Sequence, residues 1–263
     1  MKLVAPAFRA QLRQVASAVA PSLLANRAVR YQRSLRDELG ITAHAERFVA
    51  RNGDRVARGP LAGLRYWPSG DAPISKLLGC YEREIQPWIY QCLRERPTRF
   101  FDLGAGDGYY AVGLARFGIP VNAFEVSADA RRAIKQLATL NQVEVHVHGK
   151  ATSRRLRRLP LDGALVLSDC EGNEAKIFDP PTISALSHSL VIVELHEARH
   201  PGITKELVGR FSESHHSETV APEPRDPAEY PELAVMPPKQ AQLCLSEMRT
   251  DKDLRWAFFM PRT

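Results

Sequence analysis

The chain has 263 residues, of which 44% are hydrophobic and 25% are charged, and its net charge is +6. These values are ordinary for a globular protein long enough to bury a sizeable core. No uninterrupted apolar stretch reaches the ~20 residues of a membrane-spanning helix, so we expect a soluble chain without a membrane span.

The positive charge is concentrated at the amino terminus. Residues 1–36 hold seven Lys or Arg and no acid, and the first acid is Asp37, whereas the rest of the chain has 29 basic and 30 acidic residues. This distribution disfavours a general nucleic-acid surface. An Arg-rich, acid-poor segment is typical of a transit peptide, and the apolar residues 15–25 would fit a weak signal peptide. An amphipathic helical extension fits equally well, and we predict a helical extension over residues 1–54 and a main domain over residues 55–263.

The four cysteines are scattered and form no C-x-x-C pair; they are Cys80, Cys92, Cys170 and Cys244. In a chain of this length such a pattern is typical of reduced thiols. We therefore expect a cytoplasmic protein.

In chain order, residues 7–50 favour helices, residues 55–67 a short hairpin and residues 80–96 a helix. From residue 99 strands alternate with helices. The predicted strands are "RFFDLG", "VNAFEV", "VEVHVHG", "GALVLSD" and "SLVIVELH", and the helices between and after them include "GYYAVGLARFG", "ADARRAIKQLATL" and "ITKELVGRF". The Pro-rich residues 221–238 predict a long loop and candidate lid. "QLCLSEM" and "RWAFFMP" predict a final antiparallel pair of strands.

This alternation predicts an α/β fold: a mostly parallel seven-stranded sheet with helices on both faces. In such folds ligands bind at the carboxyl ends of the strands. "FFDLGAGDGYY" places Asp102, Gly104, Gly106 and Gly108 at the end of the first strand. Glycines allow a sharp turn and close approach of a ligand, and the following helix presents free N–H groups. The spacing is G-x-G-x-G, with Tyr109 where a dinucleotide site would have its last glycine, which counts against a nicotinamide cofactor.

The second predicted strand ends in Glu125, which can accept two hydrogen bonds from a ribose diol. This glycine turn and acidic residue together resemble the cofactor motifs of class I S-adenosylmethionine-dependent methyltransferases, with their Rossmann-like fold. We assign to the cofactor the residues of the turn and those at the ends of the next strands; they are Asp102, Gly104, Ala105, Gly106, Gly108, Tyr109, Glu125, Val126, Ser127, Lys150, Ala151 and Asp169.

Three further motifs are similar to those of the FkbM-like branch of these methyltransferases: "YE" at Tyr81 and Glu82, "DCEGNE" at residues 169–174 and "VIVELHE" at residues 191–197. The resemblance covers roughly residues 55–260, and its segment after residue 200 is loose. It implies methyl transfer from S-adenosylmethionine, commonly to an oxygen. It also implies that Tyr81 and Glu82 reach the amino-acid end of the cofactor, although they could equally mark a helix start.

"HEARHPG", residues 196–202, contains the H-E-x-x-H pattern of zinc proteases. That chemistry needs both histidines on one helix. Here His196 ends a predicted buried strand, and His200 precedes a proline that disfavours helical geometry. We therefore reject the protease and predict that His196 takes a proton from an acceptor hydroxyl, with a purely structural hydrogen bond as the alternative.

"DCEGNE" supplies further candidates for catalysis. Asp169, at a strand end, would face the cofactor or the acceptor, and Glu171 could bind the acceptor, orient a base or join Asp169 in holding a divalent cation. We assign catalytic roles to His196, Glu171 and Asp169 and assign no metal. Glu174 is interpreted as an acid that stabilises a helix start. "DPPT", residues 179–182, is interpreted as a turn and not as the motif of base-amine methyltransferases.

The sequence thus predicts a methyltransferase that acts on a hydroxyl oxygen of a small molecule or sugar. One alternative is an RNA, DNA or protein methyltransferase docked through the basic amino-terminal segment. Another is an inactive nucleotide-binding module. The basic residues between Lys150 and Leu159 could contact an acidic acceptor, but a solvated helix face is the simpler interpretation.

Overall fold

The structure, a computed structural model, describes residues 40–67, 72–247 and 254–262. A boundary between two compact units falls between Phe48 and Val49. Helix α1 (Ile41–Asn52) contains this boundary and agrees with the helix predicted there. The helices predicted before residue 40 lie outside the described residues, and the division at residues 54 and 55 stays a prediction.

The second unit contains the alternating strands and helices. Its strands are β1 (Phe100–Leu103), β2 (Val121–Phe124), β3 (His146–His148), β4 (Leu165–Ser168), β5 (Leu190–Leu195), β6 (His215–Val220) and β7 (Arg255–Pro261). Its helices are α2 (Pro73–Leu78), α3 (Gln86–Glu95), α4 (Tyr109–Ala115), α5 (Ala128–Asn141), α6 (Ser153–Leu156), α7 (Glu174–Ile177), α8 (Pro180–Ala185), α9 (Ile203–Phe211) and α10 (Pro238–Leu245). Single 3-10 turns cover Arg83–Ile85, Pro227–Glu229 and Pro231–Leu233. No helix within the described ranges is long and apolar enough to cross a membrane.

The seven strands form one sheet in the order β3-β2-β1-β4-β5-β7-β6. Strands β1 to β5 are parallel, and β7 runs antiparallel to both β5 and β6. This architecture confirms the predicted Rossmann-like α/β class with its antiparallel last pair. The central strands β1, β4 and β5 are buried along their whole length, because helices cover both faces of a parallel sheet.

The partner of β7 was predicted wrongly. Residues 242–245 of "QLCLSEM" belong to helix α10, which begins after Pro237 and buries Ala241, Cys244 and Leu245 at helical spacing. Short apolar runs of this kind do not distinguish a strand from a helix by period alone. The strand that pairs with the outer side of β7 is the edge strand β6, whose middle residues are exposed. Its polar sequence, "HHSETV", is typical of a protected edge and gives no hydrophobic signal.

The core lies between the sheet and its helices. On one face, the side chains of β1, β4, β5 and β7 pack against the helices from α6 to α9. Phe211 of α9 stacks on Phe259 of β7 with ring centroids 4.0 Å apart, and its edge meets Phe178. Aromatic contacts of this kind add to the stability that simple burial supplies, so the sheet is a firm support for the loops at its edge.

The direction of chain progression reverses between β1 and β4. From β1 the chain proceeds outward through β2 to β3, and it then returns to place β4 on the other side of β1. In folds with such a reversal, ligands bind in the crevice outside the carboxyl ends of the strands, next to the loops that follow the two strands, here β1 and β4. Asp169 is tied to the end of β1 by a hydrogen bond from its N–H to the Leu103 carbonyl, 2.8 Å.

Candidate functional site

The glycine turn after β1 has one structural and one open position. The N–H groups of Gly104 and Ala105 both donate to the Phe124 carbonyl, at 2.8 and 3.0 Å. A Cβ on Gly104, whose φ is +88°, would lie 1.8 Å from the Asp169 carbonyl oxygen. Gly106, with φ +54°, has no atom within 4 Å of the position of a Cβ. Glycine is thus required sterically at position 104, whereas at 106 it leaves space beside the backbone.

Glu125 lies directly after β2 and holds the glycine turn. Its carboxylate accepts hydrogen bonds from Gly106 N–H, 3.0 Å, and Ser127 N–H, 2.7 Å. Each carboxylate oxygen accepts more than one hydrogen bond, so both oxygens keep capacity for a ribose diol. Beside it, the Val126 side chain is 69% exposed, and the Ser127 hydroxyl caps helix α5. These neighbours provide an apolar surface and a fixed helix start next to the acid.

Asp102 is buried at the carboxyl end of β1. Its Oδ2 atom has no hydrogen-bond partner among the described residues. Burial, aided by the negative charges of Glu125, Glu82 and Asp169, raises the pKa of Asp102 well above its ordinary value. A buried carboxyl group with an unsatisfied oxygen is costly, and a cationic or hydrogen-bond-donating ligand would relieve that cost.

Tyr109, at the start of α4, belongs to an aromatic cluster around Lys76. The Lys76 ammonium lies 4.8 Å from the Tyr81 ring centroid, 5.6 Å from that of Tyr109 and 5.7 Å from that of Tyr66. It also pairs with both carboxylate oxygens of Asp107, at 2.9 and 3.0 Å. Sequence reasoning missed Lys76, because nothing in α2 indicates that it reaches the glycine turn. Asp107 could have been found, since it lies inside "GAGDGYY".

Glu82 lies beside this cluster with strained backbone geometry. Its φ is +48°, a region that residues other than glycine rarely adopt, and its N–H donates to Glu247 at 2.7 Å. Glu247 in turn pairs with Arg225 at 2.5 Å, and Arg225 donates to the Cys80 carbonyl at 2.7 Å. Arg225 therefore ties the predicted lid, residues 221–238, to the "YE" segment.

The two residues assigned after β3 have different environments. Lys150 is exposed, whereas Ala151 is buried in the hydrophobic core. The role of both residues in cofactor binding stays a prediction.

His196 lies at the centre of an acidic cluster formed by the loops after β4 and β5. Its Nε2 atom is 3.5 Å from Asp169 Oδ1 and 3.4 Å from Glu171 Oε2. Glu194 Oε2 is 3.3 Å from the same nitrogen, and Glu174 Oε1 is 3.4 Å from Nδ1. The structure thus brings together the three predicted catalytic residues and adds two carboxylates.

The cluster sets the protonation of His196. Burial alone would lower its pKa, but the contact with Glu174 and the negative charges of Asp169 and Glu171 outweigh burial and raise it above the ordinary value. The pKa of Glu171 is raised as well, by partial removal from water and by the charge of Asp169. Its side chain is 59% exposed and pairs with Arg199 at 2.5 Å, so water screens these interactions.

Glu174 contacts the second ring nitrogen of His196, Nδ1, and is itself held in place by backbone groups. The residue is fully buried in the first turn of α7, and Oε1 accepts hydrogen bonds from Cys170 N–H, 3.0 Å, and Gly172 N–H, 3.3 Å. The interpretation of Glu174 as an acid at a helix start agrees with this position. Its proximity to His196 was not anticipated, because α7 follows β4 and the histidine follows β5.

The remaining motif residues have structural partners. His200 lies in a turn and contacts Glu206 of α9 at 2.8 Å, while His196 faces the acidic cluster. The two histidines therefore do not share one helix, and the zinc-protease arrangement is not present in this part of the chain. In "DPPT", the Asp179 side chain caps α8 and pairs with Arg157. The interpretation of this segment as a turn was therefore wrong, because Asp179 and the two prolines begin a helix.

No protein-family model and no curated protein sequence matches the chain. Among solved structures it is similar to an rRNA methylase from Streptococcus thermophilus, with TM-score 0.44, 10% identity and coverage of 69% of this chain and 98% of that one. It is also similar to precorrin-6y C5,15-methyltransferase from Geobacter metallireducens, with TM-score 0.45, 12% identity and coverage of 67% and 89%. A third similar structure is the O-methyltransferase TomG from Streptomyces achromogenes, with TM-score 0.42, 14% identity and coverage of 65% of this chain and 76% of that one.

These similarities are remote, and the methyltransferases concerned are named for different acceptors. They carry no argument about the reaction of this chain, which depends on its own residues. The FkbM-like resemblance stays a prediction.

Proposed function

We propose that this chain is an S-adenosylmethionine-dependent methyltransferase that acts on a hydroxyl oxygen of a small molecule or sugar. The observation that carries the proposal is the combination of the open position at Gly106 with the adjacent carboxylate of Glu125. A ligand can approach the turn backbone closely at this place, and its ribose diol would find the acceptor oxygens of Glu125.

The charge of the crevice supports a cationic cofactor. Glu125 follows β2 and Asp169 follows β4, on either side of β1. Asp102 is buried with an unpaired oxygen, and its raised pKa favours the neutral carboxyl group, which can form a hydrogen bond with a ligand. S-adenosylmethionine carries a sulfonium, an ammonium and a carboxylate group and is therefore a net cation, so this crevice suits it better than a phosphate-bearing dinucleotide. When bound, this cofactor supplies an electrophilic methyl group attached to a good leaving group.

The protein contributes positioning and a base. Holding two reactants in line can lower a barrier by about 7–11 kcal/mol. His196 stands between the loops after β4 and β5, and the raised pKa that the carboxylates give it favours its acceptance of a proton from an acceptor hydroxyl. Asp169 and Glu171 hold the imidazole and stabilise its protonated form.

The same carboxylates bear on the class of acceptor. A polyanion such as RNA or DNA would bring phosphates near Asp169, Glu171 and Glu174, and like charges repel. An uncharged hydroxyl compound meets no such penalty. This charge pattern supports the small-molecule acceptor over the nucleic-acid alternative.

Turnover provides the test. Purified full-length protein is incubated with S-adenosylmethionine and a panel of hydroxylated compounds and sugars, and release of S-adenosylhomocysteine is measured. We expect release with at least one acceptor class. His196→Asn should lower turnover by about 10²-fold or more, the usual contribution of a general base, while leaving cofactor affinity unchanged. His188→Asn, which alters an exposed histidine paired with Asp162, is the matched control. Full activity of the His196→Asn variant would show that His196 is not the base.

A further inference from the structure

The acidic cluster has the composition of a metal site. One ligand atom each from Asp169, Glu171 and His196 lie within 4.8 Å of one another. In a tetrahedral zinc site, bonds of ~2.0–2.1 Å place neighbouring ligand atoms ~3.3–3.4 Å apart. His196 Nε2 lies 3.5 Å from Asp169 Oδ1 and 3.4 Å from Glu171 Oε2, so two of the three separations already match.

Unsatisfied atoms form a second and separate observation. The His196 side chain is 7% exposed, and its Nδ1 has no hydrogen-bond partner among the described residues. Asp169 Oδ1, the atom nearest to Nε2 on that residue, is buried and equally without a hydrogen bond. Buried polar atoms are normally satisfied. A cation bound to His196 Nε2 and Asp169 Oδ1 would satisfy the oxygen and would leave Nδ1 to donate its proton to Glu174.

The charges favour the same conclusion. Four carboxylates surround His196, from Asp169, Glu171, Glu174 and Glu194, and Arg199 returns one positive charge through its ion pair with Glu171. With a neutral imidazole, carboxylates outnumber cations in this largely buried cluster, which is costly. A divalent cation would offset part of that negative charge.

The outer contacts also resemble those of metal-binding histidines. Such a histidine usually directs its second ring nitrogen to a carboxylate, which fixes the tautomer. Here Nδ1 faces Glu174 Oε1 at 3.4 Å, and two backbone N–H groups hold that oxygen in place. Nε2 is therefore directed to the other carboxylates, as a ligand atom should be.

We propose that Asp169, Glu171 and His196 form a binding site for a divalent transition-metal ion, with zinc as the best match. An imidazole ligand favours zinc over magnesium, which prefers an octahedral shell of oxygen atoms. This goes beyond the sequence analysis, which assigned no metal. Binding of the ion does not depend on methyl transfer, and only its use in polarising an acceptor oxygen rests on the proposed function. A metal-bound Nε2 has no free lone pair, so the role of His196 as a base and the repulsion of phosphates belong to the metal-free protein.

The test is calorimetric titration of metal-free, full-length protein with Zn²⁺ and, separately, with Mg²⁺, in the absence of cofactor. We expect one Zn²⁺ bound per chain at this site and Mg²⁺ bound at least about tenfold more weakly. Glu171→Gln should weaken Zn²⁺ binding by about tenfold or more, since loss of even an outer-shell partner costs that much. Its side chain is more than half exposed, so this variant should fold. Asp169→Asn should have the same effect.

Two controls sharpen the result. Glu144→Gln alters an exposed acid outside the cluster and should leave the Zn²⁺ affinity unchanged. Arg199→Gln removes the cation that competes for Glu171, so Zn²⁺ should bind as tightly or more tightly. Equal Zn²⁺ affinities of wild type and Glu171→Gln, or preference for Mg²⁺, would overturn the proposal. Cofactor binding measured on the same samples shows separately whether the methyltransferase assignment stands.

Discussion

Gly104 and Gly106, two residues apart in the turn, should respond differently to the same substitution. Gly104→Ala places a methyl group 1.8 Å from the carbonyl oxygen of Asp169 and 2.8 Å from its carbon, so the backbones after β1 and β4 must separate. A positive φ costs an L-residue about 1–2 kcal/mol, and overpacking adds about 1–3 kcal/mol. We therefore expect Gly104→Ala to lose about 2–5 kcal/mol of the free energy of unfolding.

Gly106→Ala meets no protein atom within 4 Å, so its cost should be the backbone part alone, about 1–2 kcal/mol. The methyl group would occupy the space in which we place the cofactor, and a steric penalty of about 1.4 kcal/mol weakens binding tenfold. Urea unfolding measures the first quantity, and calorimetric titration with S-adenosylhomocysteine measures the second. A folded Gly106→Ala protein that binds this ligand as wild type does would refute the placement.

Two further substitutions probe buried charges. Because carboxylates raise the pKa of His196, protonation of the histidine stabilises the fold below pH 6.5, its ordinary pKa, and this contribution is lost as the pH rises through the raised value. Glu174→Gln should therefore lower the pH at which turnover rises and should destabilise the fold more below pH 6.5 than above it; an unchanged pH profile would contradict this. Arg225→Leu removes the cation that pairs with the buried carboxylates of Glu84 and Glu247, and should cost about 3–5 kcal/mol in urea unfolding. The exposed ion pair of Arg83 with Glu229 provides the control, since Arg83→Leu should cost under about 1 kcal/mol, and equal losses would refute the role of Arg225.

The parallel half of the sheet was predictable because most of its strands are short, mainly apolar runs between turn residues. The exception is β3, His146–His148, whose residues are exposed or half-buried. Helix α9 coincides with the predicted "ITKELVGRF", since Ile203, Leu207 and Phe211 recur at helical spacing and are buried. The antiparallel edge was harder. Residues 216–219 of β6 are polar and exposed, so only pairing with β7 makes them a strand. Such tertiary effects override local pattern.

The candidate site was predictable to the extent that topology determines it. Asp102 lies near the end of β1, Glu125, Asp169 and His196 each follow a strand, and parallel strands end at one edge of the sheet. The contacts of Lys76 were not predictable, because they depend on how α2 lies against the glycine turn. The approach of Glu174 to His196 likewise depends on the turn at residues 169–173, whose geometry cannot be predicted from the sequence alone.

Binding of the cofactor tests the central claim most directly. Calorimetric titration with S-adenosylmethionine and S-adenosylhomocysteine is compared for wild type, Glu125→Ala and the exposed control Glu144→Ala. We predict that, for each ligand, Glu144→Ala has the same affinity as wild type. Glu125→Ala should bind each ligand at least about tenfold more weakly, because charge-assisted hydrogen bonds worth about 1.5–3 kcal/mol are lost. No binding by wild type, or equal affinity in Glu125→Ala, would contradict the assignment of this crevice to S-adenosylmethionine.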